Sequence, residues 1–528
     1  MTDPQARTST ADRTSRTQRT PRTPSTADGS SLARVHLVGI GGAGMSAIAR
    51  ILAARGLSVS GSDAKGSYVL TGLAQRGVIT AVGHDAGNLD LLPGGPTAVV
   101  VSTAIRSTNP EVMEARRRGI PVVQRAVALA ALMAGHRSVC VAGTHGKTST
   151  TSMLTVALQS AGLDPSFAIG GELNESGTGA HAGTGDIFVA EADESDGSFL
   201  AFTPHGAIIT NIEPDHLDHH GTAAAYEAVF DQFVDGIAPG GFLVLCIDDA
   251  GTTALRNRVA GRPGSPRIVT YGFGAGADLQ IVDHRLVGHG STATVRVSNH
   301  VDSLSHVDSL SHVDLLSHVD SLSPVDLLVR VAVPGAHMLS NAVAALAAAL
   351  ALGVPAESMV AGLAGYTGVR RRFEYKGRAA GVSVYDDYAH HPTEVAAQLL
   401  AARSVLAGAR GPGRLVVVFQ PHLYSRTIHF AVEFAAALSA ADVVVVLDIY
   451  GAREDPVPGA SGELITSRLL GSINAEGRSG CQVHYLPSLA SVPSSVAGLV
   501  RPGDLVITMG AGDVTMLGPQ LLEQLEQQ

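Results

Sequence analysis

The sequence predicts an α/β protein of three domains, and three observations carry that expectation. Apolar runs of strand length end in polar clusters throughout the chain. Two of them enter glycine-rich turns that lead into helix-favouring segments, and 528 residues are more than one hydrophobic core accommodates. The expected parts are an N-terminal Rossmann-like domain over 32–135, a central domain like a P-loop ATPase with a parallel or mixed sheet over 136–333, and a C-terminal Rossmann-like domain over 334–528. Hydrophobic residues at 45% and charged residues at 16% are ample for such cores. A net charge of −10 argues against nucleic acid or an anionic membrane as the main partner. Cys140, Cys246 and Cys481 are few and odd in number, which fits a reducing cytoplasm rather than a disulfide framework. No apolar run reaches transmembrane length without Gly, Pro or charge, and the arginine-bearing N-terminus has no apolar signal-peptide stretch.

Residues 1–31 are Thr, Ser, Arg, Pro and Asp with almost nothing to bury, and are expected to be a disordered tail. Residues 33–38 read as the first strand. Gly39, Gly41, Gly42, Ala43 and Gly44 then make a G-x-G-x-x-G turn into a helix, where backbone N–H groups can approach a pyrophosphate. A second strand over 58–63 ends in Asp63, which places a carboxylate about where ribose hydroxyls are read in dinucleotide sites. Alone, this pattern indicates pyrophosphate without indicating which nucleotide. Segments 97–102 and 121–124 read as later strands of the same parallel sheet.

The central domain opens with an apolar strand into Gly143-Thr144-His145-Gly146-Lys147-Thr148-Ser149, followed by a helix-favouring run. This is the build of a nucleoside-triphosphate phosphate cradle. Glycines admit backbone N–H groups, the helix N-terminus points partial positive charge at the phosphates, Lys147 reaches the outer phosphates, and Thr148 offers a hydroxyl to Mg²⁺. The spacing is G-x-x-G-K-T, shorter than the common form because Val141 stands where that form has glycine. Two further strands, 186–190 and 206–210, end in the acidic clusters Glu191–Ser198 and Asn211–Asp218. Oxygen and imidazole ligands at those ends are what a Mg²⁺ held between protein and phosphates requires. Solvated loop acids are the bland reading for either cluster by itself.

Over 298–328 the unit HVDSLS repeats, with apolar residues every three positions. A helix would turn that stripe off one face by about 60° per step, and the unit is too short for a solenoid. It reads as a low-complexity insertion between strands at 292–297 and 327–333; its evenly spaced histidines offer metal ligands, with tandem slippage the favoured reading. The last domain begins with Pro334-Gly335-Ala336-His337 and an Ala-rich helix over 341–352. Its strands at 382–385, 415–419, 443–447 and 505–509 end in DDYAHHP, QPHLYSRT, DIYGARE and GAGD. Function in such domains sits in the crevice at the strand ends.

These motifs together resemble the Mur ligases. The stretches that carry the resemblance are GIGGAGM at 39–45, GTHGKTSTT at 143–151, EADESDGSF at 191–199, NIEPDHLD at 211–218, RRFE at 371–374, DDYAHHPTE at 386–394 and FQPHLYSRT at 419–427. GIGGAGM is similar to the alanine-adding branch. The resemblance implies three domains, one for a UDP-sugar, one for ATP, and a mobile one closing over both. It implies an ADP-forming, ATP-dependent joining of UDP-N-acetylmuramate to L-alanine in peptidoglycan synthesis, with ATP and Mg²⁺ required. Carried over residue by residue, it makes Lys147, Glu191, His216, His390 and Arg426 the catalytic groups and Thr148, Glu191 and His216 the Mg²⁺ ligands. It places His337, Asn341, Arg372 and Asp387 on the nucleotide, and Tyr388 and His422 with the first glycine turn on substrate. Two positions depart from the family pattern, Met338 for an asparagine and Leu423 for a frequent arginine. The carbamylated lysine of later-step enzymes has no counterpart, since no lysine lies between Lys147 and Lys376.

A carboxylate attacking a triphosphate meets repulsion of about 4 kcal/mol per charge pair at 4 Å and an effective dielectric of 20, which explains a lysine, a helix N-terminus and Mg²⁺ converging on one loop. The incoming amine must lose a proton, for which His390 and His216 are candidates. A nicotinamide-dependent oxidoreductase is the main competing class, resting on the first glycine turn and Asp63, but it leaves the second loop without a purpose. A non-enzymatic nucleotide-binding regulator would bind without releasing phosphate. A folylpolyglutamate-type ligase would share the central and last domains without needing the first glycine-rich one.

Overall fold

The structure, a computed structural model, describes residues 32–287, 289–298, 324–409, 411–452, 454–475 and 481–527. The tail expected at 1–31 and most of the HVDSLS repeat lie outside them. Strands β1 (Arg34–Val38), β2 (Ser58–Asp63), β3 (Ile79–Val82), β4 (Ala98–Val101) and β5 (Val122–Gln124) form an all-parallel sheet in the order β3-β2-β1-β4-β5. The order reverses beside β1, so the crevice of this sheet opens where β1 enters the glycine turn and helix α1 (Ala43–Ala54). Strand β3 has no apolar run to announce it because its residues lie at an edge, none of them buried.

The second sheet contains β6 (Arg137–Ala142), β7 (Ser166–Ala168), β8 (Ala180–His181), β9 (Ile187–Glu191), β10 (Gly206–Ile209), β11 (Phe242–Cys246), β12 (Arg267–Gly272), β13 (Leu279–Val287), β14 (Gly290–Val297) and β15 (Val325–Val331). Its order is β15-β14-β13-β12-β11-β10-β6-β9-β7-β8, parallel through the middle and antiparallel at both ends. β6 lies between β9 and β10 in parallel register, Val141 opposite Glu191 and Ala142 opposite Ile209, so all three strands release their following loops at one edge. Helix α2 (Lys147–Ser160) is buried from Thr148 to Leu158. Its hydroxyls survive that burial by bonding back one turn: Thr151 Oγ1 donates to Lys147 O at 2.7 Å and Thr155 Oγ1 to Thr151 O at 2.8 Å.

Two expectations are corrected here. The Ala-rich helix α3 (Ala336–Ala351) starts five residues before Asn341, and its Met338, Leu339 and Leu346 share a core with Val139 and Val141 of the second sheet and Leu154 of α2. The boundary expected at 334 therefore falls after α3, because that helix buries its apolar surface against the central sheet. The insertion expected to run to 328 ends earlier: β15 takes in Val325–Leu328, pairing Val325 with Val297 and Leu327 with Val295.

The third sheet holds β16 (Glu374–Ala379), β17 (Val382–Asp387), β18 (Leu415–Phe419), β19 (Val443–Val446), β20 (Gln482–Tyr485) and β21 (Leu505–Met509) in the order β16-β17-β21-β18-β19-β20. All neighbours are parallel except β16 with β17. Helix α4 (Pro392–Gly408) follows β17, with His391 as N-cap and Glu394 closing a capping box. The predicted three-domain α/β architecture is the one observed. The three cysteines are free, and among the described residues no helix is long and apolar enough to cross a membrane.

Candidate active site

The site grows from the end of β6, where Val139 to Ala142 have no exposed surface and the chain then has to turn. Gly143 (φ +124°) and Gly146 (φ +81°) supply backbone angles that side-chain-bearing residues rarely adopt. A Cβ on Gly146 would lie 2.8 Å from Asn341 Oδ1, so the loop is packed directly on α3. Asn211, at the end of β10, accepts the His145 N–H at 2.8 Å and donates to His145 O at 3.1 Å, clamping the loop from its other side.

Lys147 Nζ donates to Gly143 O at 2.6 Å, to Thr144 O at 3.1 Å and to Glu194 Oε1 at 2.9 Å. Burial pushes the Glu194 carboxyl up to about 7 against the pull of Lys147. The ammonium is held above its ordinary value, burial being outweighed by Glu194 and Asp193. Thr148 Oγ1 donates to Glu191 Oε1 at 3.1 Å, and Glu191 Oε2 accepts the Gly170 N–H at 2.7 Å. His216 holds a left-handed backbone angle (φ +53°) with its ring 3.6 Å from Asp215. Burial lowers its pKa to about 4 despite Asp215, so the imidazole is neutral and keeps a lone pair. The Thr148 hydroxyl and the Glu191 carboxylate are oxygen donors of the kind Mg²⁺ takes, and the neutral imidazole is a softer donor beside them.

The last domain reaches this loop. Arg372 Nη2 donates to Thr148 Oγ1 at 3.4 Å, and the Arg371 and Arg372 guanidiniums lie 4.8 and 5.1 Å from the Tyr388 ring centre. His390 Nδ1 sits 3.1 Å from Tyr388 O, and its ring is 5.6 Å from that of His422, which stacks on Tyr450. A cavity of about 810 Å³ joins all three domains: Gly41 and Ala43 of the first turn, Thr148 and Glu191 of the central domain, and Arg372 and Tyr388 of the last domain line one space. Near the start of α3 a smaller cavity of about 320 Å³ is lined by His337, Gly335 and Ala397.

Four expected residues have surroundings that the sequence did not indicate. Asp63 Oδ2 accepts the Gly41 N–H at 2.9 Å, which pins the turn. Asp387 is fully buried and accepts the Phe373 and Ala389 N–H groups, each at 2.7 Å, so it braces the strand end instead of facing the cavity. Burial raises its carboxyl to about 7 even with Arg372 nearby. Arg426 Nη2 donates across the domain boundary to both oxygens of Asp215, at 3.0 and 3.2 Å, with both side chains buried. His337 is half-buried beside the smaller cavity, and desolvation brings its imidazole down to about 4. The two departures from pattern are core positions: Met338 is 2% exposed and Leu423 5% exposed.

Comparison with known proteins gives three matches along the chain: "Mur ligase family, catalytic domain" over residues 34–137, "Mur ligase middle domain" over 141–349, and "Mur ligase, glutamate ligase domain" over 371–512. This chain belongs to the Mur ligase family. The UDP-N-acetylmuramate–L-alanine ligase of Saccharopolyspora erythraea is 59% identical to it over 502 residues, covering 94% of each chain. The protein of that name from Mycobacterium tuberculosis is 52% identical over 501 residues, 94% of this chain and 95% of the other. Among solved structures, UDP-N-acetylmuramate-alanine ligase from Thermotoga maritima superposes with a TM-score of 0.72 at 26% identity, covering 94% of this chain and 99% of that one.

Sequence reasoning on this Mur ligase missed several residues of the site. Glu194 lies inside a quoted motif, but nothing local marks it as the partner of Lys147. Arg50 Nη1 donates to Thr178 Oγ1 at 2.6 Å and lines the large cavity from α1. Under the first turn, Ser62 O accepts the Gly39 and Ile40 N–H groups at 2.8 and 2.9 Å, and Ser62 Oγ donates to the buried Glu111 at 2.7 Å. The available signal was a lone arginine on an apolar helix and a serine before Asp63, neither distinctive.

Proposed function

We propose that this Mur ligase joins L-alanine to the lactyl carboxylate of UDP-N-acetylmuramate, converting ATP to ADP and phosphate, as a step in peptidoglycan precursor synthesis. The observation that carries the reading is the one cavity lined by the first glycine turn, by Thr148 and Glu191 beside the phosphate loop, and by the arginines of the last domain. It suits a sugar nucleotide and a triphosphate held face to face. The relatives' names supply the substrates. An oxidoreductase is disfavoured by the second anion loop, for which it has no use.

In the first step a lactyl carboxylate oxygen bonds to the γ-phosphorus while the bond to the β-phosphate oxygen breaks, giving an acyl-phosphate and ADP. Lys147, the N-terminus of α2 and Arg372 offset the repulsion between the anions. Thr148, Glu191 and His216 would hold Mg²⁺, which supplies positive charge against the phosphates when bound. In the second step the neutral amine of alanine bonds to the acyl carbon, and the tetrahedral intermediate expels phosphate to leave the amide. His390 is our candidate to take the amine proton: with Nδ1–H donated to Tyr388 O, Nε2 would be the acceptor. The buried contact between Arg426 and Asp215 ties the last domain to the central one.

The test is phosphate release with ATP, Mg²⁺ and UDP-N-acetylmuramate, each amino acid offered in turn, and hydroxylamine added in a run without amine. Alanine-dependent release and a trapped hydroxamate are expected. No release with alanine would overturn the function, and release without a trappable intermediate would overturn the order of steps.

A further inference from the structure

One cluster of metal-type ligands has no role in the reaction above. His145 of the phosphate loop, Glu213 after β10 and His391 at the cap of α4 each offer one ligand atom, and the three atoms lie within 4.8 Å of one another. His145 and Glu213 belong to the central domain and His391 to the last, so the cluster spans the boundary that closure must form. His145 Nε2 is 3.4 Å from Glu213 Oε2, the spacing of about 3.3–3.4 Å that ligands at 2.0–2.1 Å adopt around a tetrahedral zinc. The His391 Nε2 atom is buried without a hydrogen-bond partner, and His391 is 5% exposed. A buried ring nitrogen without a partner calls for an explanation.

The surroundings match a metal site beyond its ligands. His145 Nδ1 lies 3.3 Å from Glu394 Oε1, the carboxylate–histidine arrangement that fixes a ring with its other nitrogen on a metal. Glu394 is itself held by the His390 and His391 N–H groups at 3.0 and 3.3 Å. Thr393 Oγ1 donates to Glu213 Oε2 at 2.8 Å, orienting the carboxylate from the opposite domain. The His145 and His391 rings are 4.7 Å apart and tilted by 35°. Metal binding at His391 Nε2 puts the proton on Nδ1 and gives up the long 3.4 Å contact from the Thr393 N–H.

We infer that His145, Glu213 and His391 form a binding site for a divalent ion of the zinc type, distinct from the Mg²⁺ site of the phosphates, that clamps the last domain onto the phosphate loop. Two histidines and one carboxylate are the ligand set of open zinc sites, softer than the oxygen-rich set Mg²⁺ prefers. Ligands from both domains make the ion favour the closed arrangement over any open one.

The test uses the full chain, stripped with a chelator and titrated with Zn²⁺ against a chromophoric indicator, with no Mg²⁺, nucleotide or substrate present. It is therefore independent of the proposed reaction. One equivalent is expected to bind with sub-micromolar affinity, and His391→Ala and Glu213→Gln are each expected to weaken it at least tenfold. Small-angle scattering should show a smaller radius of gyration with zinc in the wild type and no change in either variant. Two substitutions on different domains guard against one of them failing to fold. Zinc binding that is equal in the wild type and both variants would assign the metal to other histidines, such as those of the repeat, and overturn the inference. Absence of binding in the wild type would leave His145 an imidazolium between Glu213 and Glu394, and overturn it as well.

Discussion

Lys147→Met is the perturbation that tests the site most directly, because it acts on catalysis and on Glu194 at once. The Glu194 carboxylate has no exposed surface, and Lys147 Nζ, 2.9 Å away, is its counter-charge. Even so, burial raises the Glu194 carboxyl from 4.5 to about 7, equivalent to about 3 kcal/mol. The sign follows from linkage. A carboxyl raised in the folded state binds more protons there than in the unfolded chain, so its contribution is fully present below 4.5 and is lost as pH rises through the folded value. Without the ammonium the folded value moves higher and the loss continues past pH 7. Lys147→Met is therefore expected to fold at pH 6 and to lose about 1–2 kcal/mol more than the wild type between pH 6 and 8. Lys147→Met/Glu194→Gln is expected to lose that extra pH dependence. Both are expected to make amide about 10³-fold more slowly, as removal of a preorganised charge does elsewhere. Thermal melting at the two pH values and coupled phosphate release are the assays. Undiminished turnover in folded Lys147→Met, or a melting profile parallel to the wild type, would refute the reasoning.

Asp215→Ala leaves the Arg426 guanidinium buried without its partner, an arrangement that costs about 3–5 kcal/mol; a larger radius of gyration by small-angle scattering and a raised substrate KM are expected. Gly146→Ala forces φ +81° on a residue with a Cβ 2.8 Å from Asn341 Oδ1. Strain of about 1–3 kcal/mol and weaker ATP–Mg binding by calorimetry are expected. Asp387→Asn sets an amide N–H against the Phe373 or Ala389 N–H and should destabilise the last domain by about 1–3 kcal/mol in urea. The wild-type carboxyl, raised to about 7, contributes stability that is lost as pH rises from 3.8 through that value, and the variant should lack this loss.

The sequence by itself determined the strand-to-turn junctions at Gly39 and Gly143, the lysine and threonine that follow the second, and the acidic strand ends at Glu191 and Asn211. These are local matters: an apolar run pairs into a sheet, a glycine bears a positive φ, and a helix begins beyond it. Edge strands such as Ile79–Val82 were illegible because exposed positions do not demand apolar residues. The start of α3 was illegible because its first turn is fixed by packing on the central sheet. Only the tertiary structure decided that Glu194 faces Lys147, that Asp63 and Asp387 bind backbone N–H groups, that Arg426 meets Asp215, and that His145 meets His391. Lys147 and Glu194 are 47 positions apart and Asp215 and Arg426 are 211 apart. No periodicity in the chain records such distances, because each pair is brought together by sheet order and domain closure, and burial rather than residue type then sets its charge.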